Sequence, residues 1–275
     1  MTADTTSTIS LDHVAIAVRH MTDPWPLFAG VLGGTYHDRG ISPGFGWTQM
    51  RFARGFVLEA IHPEQTDRAD FLTRFLDRHG PGPHHLTFVV PDLDVALATA
   101  RAAGLTPVGE DRSEPTWAEA FLHPDEAHGI VVQLAQVSGT PTPPPEPEGY
   151  PETSFDNPIA SLGRVVHAVA DLKGALALFH DVLGGWIMSS GAAIDGNHWV
   201  ELGWSGFGRL RLLEATNDEL TAWIGDRPGR LRHLFFNFDE PALVPGAHKV
   251  AENRWVVEAD DVLGTRLVIA SNARS

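Results

Sequence analysis

LDHVAIAV (Leu11–Val18) with FVLEAI (Phe56–Ile61), and HHLTFVV (His84–Val90) with IVVQLAQ (Ile130–Gln136), read as two copies of one arrangement. In each copy an apolar strand bearing a histidine is followed by a later apolar strand bearing one carboxylate or amide. Glu59 lies 46 positions after His13, and Gln133 lies 48 after His85. Self-similarity at a fixed spacing marks a supersecondary unit used more than once, whose core closes only when units pair.

Working outward, Leu11–Val18 alternates, with Val14, Ile16 and Val18 on one face and His13, Ala15 and Ala17 on the other. The apolar face calls for a helix. DPWPLFAGVLGG supplies one over Pro24–Leu32, with Asp23 as its cap and glycines after its end. Strands near Gly46–Phe52 and Phe56–Ile61 complete a β-α-β-β-β unit. Phe71–Gly80 forms a connecting helix. A second unit then runs through the strand His85–Val90, the helix Leu93–Ala103 stopped by Gly104, and strands near Trp117–Leu122 and Ile130–Ala135.

Prolines 141, 143, 144, 145, 147, 151 and 158 make residues 138–160 an extended linker between domains at 8–137 and 161–272. Beyond it the pattern returns more loosely. Val165–Gly185 gives strand, turn, helix and Gly-Gly stop, and Arg209–Thr216 gives a strand holding Glu214. The fourth unit starts at His233–Phe238, its helix shrinks to EPALVPGAH, and RWVVEA and TRLVIA close it. The class is α+β, with four β-α-β-β-β units paired two by two. Aligned by the repeat, Arg164 replaces His13 and Val268 replaces Gln133, while Glu214 and His233 persist. An arginine at that place argues against a cation, so this half reads as a scaffold that has lost its site.

Composition narrows the partners. A formal charge of −15 over 275 residues disfavours nucleic acid and anionic membranes, which need a basic surface, and points to a small-molecule ligand. With no cysteine, a metal must be held by histidine, carboxylate or amide groups. MTADTTSTIS lacks the features of a signal peptide, and no apolar run approaches the length of a membrane span, so the expected location is the cytoplasm. The expected assembly is a monomer or homodimer.

The four repeated polar positions carry the chemistry. Alternation sets His13, Glu59, His85 and Gln133 on the face away from the helices, beside small or apolar neighbours that leave room for substrate and water. Imidazole plus carboxylate suits one divalent ion of iron, manganese, cobalt, nickel or zinc, with the amide as a weaker oxygen donor. By the same alternation Trp47, Gln49 and Arg51 face the site, and so do Trp117, Glu119 and Phe121. Glu119 between two aromatics is a candidate acid/base group, and Arg51 a candidate holder of an anionic substrate group. His123 and His128 shape the turn HPDEAH, His62 is expected to be exposed, and His84 points away from the site.

DHVAIAV, FLTRFLDRHGPGPHHLTFVV and FLHPDEAHGIVVQLAQ resemble the vicinal oxygen chelate superfamily, which includes glyoxalase I, extradiol dioxygenases, methylmalonyl-CoA epimerase and bleomycin resistance proteins. The resemblance is closest to the epimerases over residues 11–136. It implies two tandem domains of cupped mixed sheet, with one divalent metal on the concave face. Most members end their ligand set with a glutamate where this chain has Gln133, and amide ligation is known among them. The epimerase pattern also implies an acid/base glutamate on the strand where this chain has Gln49, which cannot exchange a proton near neutral pH. Three functions follow as expectations: a metal-dependent isomerase, epimerase or lyase acting next to a carbonyl, a non-haem Fe(II) dioxygenase, and a metal-free drug-binding resistance protein.

Overall fold

Strongly alternating segments become the inner strands of two sheets in the computed structural model, which describes residues 8–139, 142–152, 159–193 and 195–271. The opening residues 1–7, the linker prolines Pro141 and Pro158, and Asn272 lie outside the described residues. The first half contributes β1 (Ser10–Ala17), β2 (Thr35–Ser42), β3 (Phe45–Arg51), β4 (Val57–Pro63), β5 (Gly82–Val89), β6 (Val108–Glu114), β7 (Trp117–Leu122) and β8 (Val131–Val137). They form one curled sheet in the order β2-β3-β4-β1-β5-β8-β7-β6. The second half contributes β9 (Ser161–Val169), β10 (Trp186–Ala192), β11 (His198–Gly203), β12 (Arg209–Glu214), β13 (Gly229–Asn237), β14 (His248–Ala251), β15 (Arg254–Val257) and β16 (Leu267–Ala270). Their order, β10-β11-β12-β9-β13-β16-β15-β14, repeats the first sheet position for position. The parallel pairs β1–β4 and β5–β8 sit inside and antiparallel hairpins outside, so the sheets are mixed.

The outer strands β2 and β6 are not expected from the pattern of the sequence. β6 (VGEDRSE) is exposed along its whole length, and β2 (TYHDRGIS) has no residue that is fully buried. Such strands carry no burial pattern, and their charges keep an open sheet edge from pairing with other chains.

The first helix also differs from expectation. It spans Trp25–Val31 and is wound wide: Leu32 N–H donates to Leu27 O five residues back, and Gly34 N–H to Phe28 O. Asp23 does not cap it but accepts from the backbone N–H of His20 in the turn before. The second half repeats the exit, with Leu183 N–H on Leu178 O and Gly185 N–H on Phe179 O. A Cβ on Gly34 or Gly185 would stand 2.8 or 2.7 Å from the Phe28 or Phe179 carbonyl oxygen, which accounts for the glycine pair at both places. Gly184-Gly185 is therefore a helix stop.

By proximity of Cα atoms the chain falls into two compact units. One comprises Met1–Asp12, His85–Pro141 and Val166–Leu231, the other His13–His84, Thr142–Val165 and Arg232–Ser275. Each has the same three-ring core. In the first, Phe88 meets Phe179 at 6.2 Å and Trp204 at 5.1 Å between ring centres. In the second, Phe236 meets Phe28 at 6.3 Å and Phe52 at 5.1 Å. The aromatic cores thus join repeats two with three and one with four. Each such ring contact adds about 0.5–1.5 kcal/mol beyond simple burial.

Part of the linker is a packed strap rather than a spacer. Tyr150 is buried, lies edge-on to Trp25 and Tyr36, and donates its hydroxyl to Gly34 O at 2.8 Å. Ala160 donates to Leu32 O and accepts from Ala53 N–H, which ties the start of β9 to the first repeat.

Candidate metal centre

His13 on β1, Glu59 on β4 and His85 on β5 come together. They are 1%, 6% and 5% exposed, and one ligand atom from each lies within 4.8 Å of the other two. The register explains the convergence. β1 and β4 run parallel with Ala15 beside Glu59, so the carboxylate reaches back toward His13, whose Nε2 is 3.6 Å from Glu59 Oε2. Alanines at 15 and 17 keep the floor shallow.

Donor atoms about 2.1 Å from one ion stand roughly 3–4.2 Å apart, so ligand atoms within 4.8 Å of one another hold a first-row divalent metal after a modest inward shift of the side chains. Two imidazoles and a carboxylate, all buried, fit such an ion in chemistry as well as in spacing.

Gln49 sits directly across from Glu59 in the β3–β4 ladder and donates from Nε2 to Glu59 Oε2 at 2.9 Å. It holds the carboxylate rather than exchanging a proton. Gln133, 8% exposed on β8, is engaged at both ends of its amide. Its Oε1 accepts from Thr87 Oγ1 at 2.5 Å and its Nε2 donates to Glu119 Oε2 at 2.7 Å. Glu119 Oε2 also accepts from the indole N–H of Trp117 at 2.6 Å. Thr87, fully buried and level with Gln133 in the β5–β8 pair, belongs to this network. Its place on the same strand face as His85 was the signal available for it.

The two repeats supply different groups at matching places. Phe121 stands across from Gln133 as Gln49 stands across from Glu59, and Glu119 takes the place of Trp47, across from the residue two further along. Glu119 therefore meets Gln133 diagonally. Trp47 is half-buried against Ala17, Ile61, Leu72 and Leu76, and so is part of a wall. Phe121 is half-buried over Gly109. Arg51 is exposed and its guanidinium meets His37 on the edge strand, 2.5 Å from the ring nitrogen.

Two smaller expectations change. His62 is half-buried, with its ring over Gly46, and desolvation lowers its pKa against the opposing pull of Glu64. Glu214 does not stand where Glu59 stands. Trp47 faces Gly40 and Trp199 faces Gly191, which sets the two hairpins in register. Two residues on, Gln49 faces Glu59 while Glu201 faces Arg211. The equivalent of Glu59 is thus Arg211, and Glu214 lies three residues beyond. Arg211 donates from Nε and Nη2 to Glu201 Oε2 at 3.0 and 2.7 Å, with its guanidinium over the Trp199 ring.

Residues 12–121 match a family model described as the Glyoxalase/Bleomycin resistance protein/Dioxygenase superfamily. Among solved structures, methylmalonyl-CoA epimerase from Mycobacterium tuberculosis is 24% identical, covering 47% of this chain and 89% of that one, with a TM-score of 0.43. A hypothetical protein from Bacillus halodurans is 19% identical, covering 50% and 99%, with a TM-score of 0.45. A methylmalonyl-CoA epimerase in complex with methylmalonyl-CoA and NH4+ is 21% identical, covering 50% and 100%, with a TM-score of 0.43. No curated protein matches the sequence. Among the described residues no helix is long and apolar enough to cross a membrane.

Proposed function

Because residues 12–121 match the model of the Glyoxalase/Bleomycin resistance protein/Dioxygenase superfamily, we propose that this chain is a divalent-metal-dependent isomerase, epimerase or lyase acting next to a carbonyl of a small molecule. The observation that carries this reading is the buried convergence of His13, Glu59 and His85. When bound, the ion supplies a Lewis acid that polarises the carbonyl oxygen and makes the adjacent C–H more acidic. The chain's own groups do the rest.

Glu119 is the proposed acid/base residue. Its Oε2 is held by Trp117 and Gln133, which fixes the plane of the carboxylate and leaves Oε1 to take and return a proton. Gln49 holds Glu59 in place, and Phe121 and Trp117 exclude water beside Glu119. Gln133 is a proposed fourth ligand through Oε1 if the Thr87 hydroxyl turns aside. In the arrangement described it orients Glu119. Arg51 is proposed to meet an anionic substrate group at the rim.

A second reading has its own support, since two histidines and one carboxylate are also the ligand set of non-haem Fe(II) oxygenases. Elemental analysis of anaerobically purified protein, beside a His13→Ala/His85→Ala double variant, tests both. About one first-row metal per chain, lost in the variant, is expected. Cobalt, nickel, manganese or zinc favours the isomerase or lyase reading, and iron with substrate-dependent oxygen uptake favours the second. No metal after reconstitution, or equal metal in the variant, overturns the metal centre.

A further inference from the structure

The second sheet keeps the geometry of the first and changes the sign of its charges. Val90 N–H donates to Ala135 O, and Phe238 N–H to Ala270 O, so these residues correspond between the two sheets. Counting back from them, Thr87 corresponds to Phe235 and Gln133 to Val268. Glu119 lies across from Ala135, and Arg254 lies across from Ala270. Arg164 occupies the place of His13 in the matched strands LDHVAIAV and LGRVVHAV. The places held by His13, Thr87, Glu119 and Gln133 are therefore filled by Arg164, Phe235, Arg254 and Val268.

These residues come together in one unit of the structure. The guanidinium carbons of Arg164 and Arg254 lie 4.1 and 4.9 Å from the centre of the Phe235 ring. Phe235 is 7% exposed, while both arginines are half-buried, so the ring is a fixed apolar base beneath two cations that solutes can reach. Burial, and after it the nearby Arg164, lowers the pKa of Arg254. Cations stacked on one aromatic ring are stabilised individually and repel mutually. A planar guanidinium matches the two oxygens of a carboxylate or phosphate. In a chain with a formal charge of −15, this pair is a local reversal of sign.

We propose that the C-terminal sheet carries an anion site in which Arg164 and Arg254, stacked on Phe235, hold a small carboxylate or phosphate group. The site is separate from the proposed metal centre and does not depend on it.

Calorimetric titration of the full chain with malonate and with inorganic phosphate, against chloride at matched ionic strength, tests this. Saturable binding of one or both is expected, weakened at least tenfold by Arg254→Gln and by Arg164→Gln, and less by Arg254→Lys, which keeps the charge but not the fork. The better of the two probes identifies the oxyanion as carboxylate or phosphate. Circular dichroism guards against misfolding, and Arg254→Gln alone suffices if Arg164→Gln does not fold. Binding retained in the His13→Ala/His85→Ala variant supports an independent site. Absence of binding above chloride, or affinity within twofold of wild type in Arg254→Gln, overturns the proposal.

Discussion

Glu59 and Arg211 occupy one position in two copies of the same hairpin, the first across from Gln49 and the second across from Glu201. Each copy contains a carboxylate facing a neutral or cationic donor, with the roles exchanged between strands. A group that can ligate a divalent ion in the first sheet has become a guanidinium clamped on a carboxylate in the second. The difference between the halves is thus a change of charge on an unchanged backbone, which makes the following expectations specific to single side chains.

Gln49 is expected to matter for metal affinity rather than for proton transfer. It donates to Glu59 Oε2, and groups that orient a ligand in this way are worth about 10–100-fold in metal affinity. Gln49→Ala should weaken the metal by that factor in a competitive chelator titration, with little change in the unfolding midpoint of metal-free protein. Affinity within twofold of wild type would show that Glu59 needs no such support.

Glu119→Gln separates binding from chemistry. The amide is nearly the same shape, so Trp117 keeps an acceptor and metal content should stay near wild type. Turnover of any carbonyl compound the wild-type protein converts should fall about 10²–10⁴-fold, the usual contribution of a positioned acid or base. Full activity in this variant would remove Glu119 from the mechanism and leave it as a structural partner of Trp117 and Gln133.

Both halves should be needed for a stable monomer. Phe28 and Phe52 are covered by Phe236, and Phe88 by Phe179 and Trp204. A fragment ending at residue 139 retains the whole first sheet but loses the partner rings of both cores. It should aggregate, or form a dimer in which a second copy covers those rings, as judged by light scattering on a sizing column. A monomeric fragment that unfolds cooperatively, with stability close to that of the full chain, would contradict the core pairing.

What the sequence made legible was set by burial. His13, Glu59, His85 and Gln133 lie on inner strands, where polar side chains stand out against apolar neighbours and recur at matched spacing. The outer strands β2 and β6 lacked that signal because one or both of their faces meet water. The local likeness of LLEA to VLEA drew Glu214 into the place of Glu59, whereas the register follows Trp47 and Trp199 against their facing glycines. The pairing of aromatic cores across the halves was invisible because it depends on which helix faces which, and strand periodicity does not encode that. Arg254 went unremarked because its place is defined only by pairing with Ala270.

His167 makes stability depend on pH in a definite direction. It is fully buried on β9, its Nε2 lies 2.7 Å from the carbonyl oxygen of His128, and burial pushes its pKa down to about 4. Donation from Nε2–H to that carbonyl leaves the folded ring neutral, while the unfolded chain takes up a proton near pH 6.5. The unfolded state therefore binds more protons between pH 6.5 and 4, so this contribution to stability is complete above pH 6.5 and is lost as pH falls through that window. The full shift corresponds to roughly 3 kcal/mol at most. His62 and His128, whose pKa values burial also lowers, act in the same direction. Urea unfolding at successive pH values should show stability falling from pH 6.5 toward 4. His167→Gln, which keeps a donor for the His128 carbonyl and has no proton to gain, should flatten most of that slope. An unchanged slope in the variant would assign the acid sensitivity to the other two histidines or to the carboxylates.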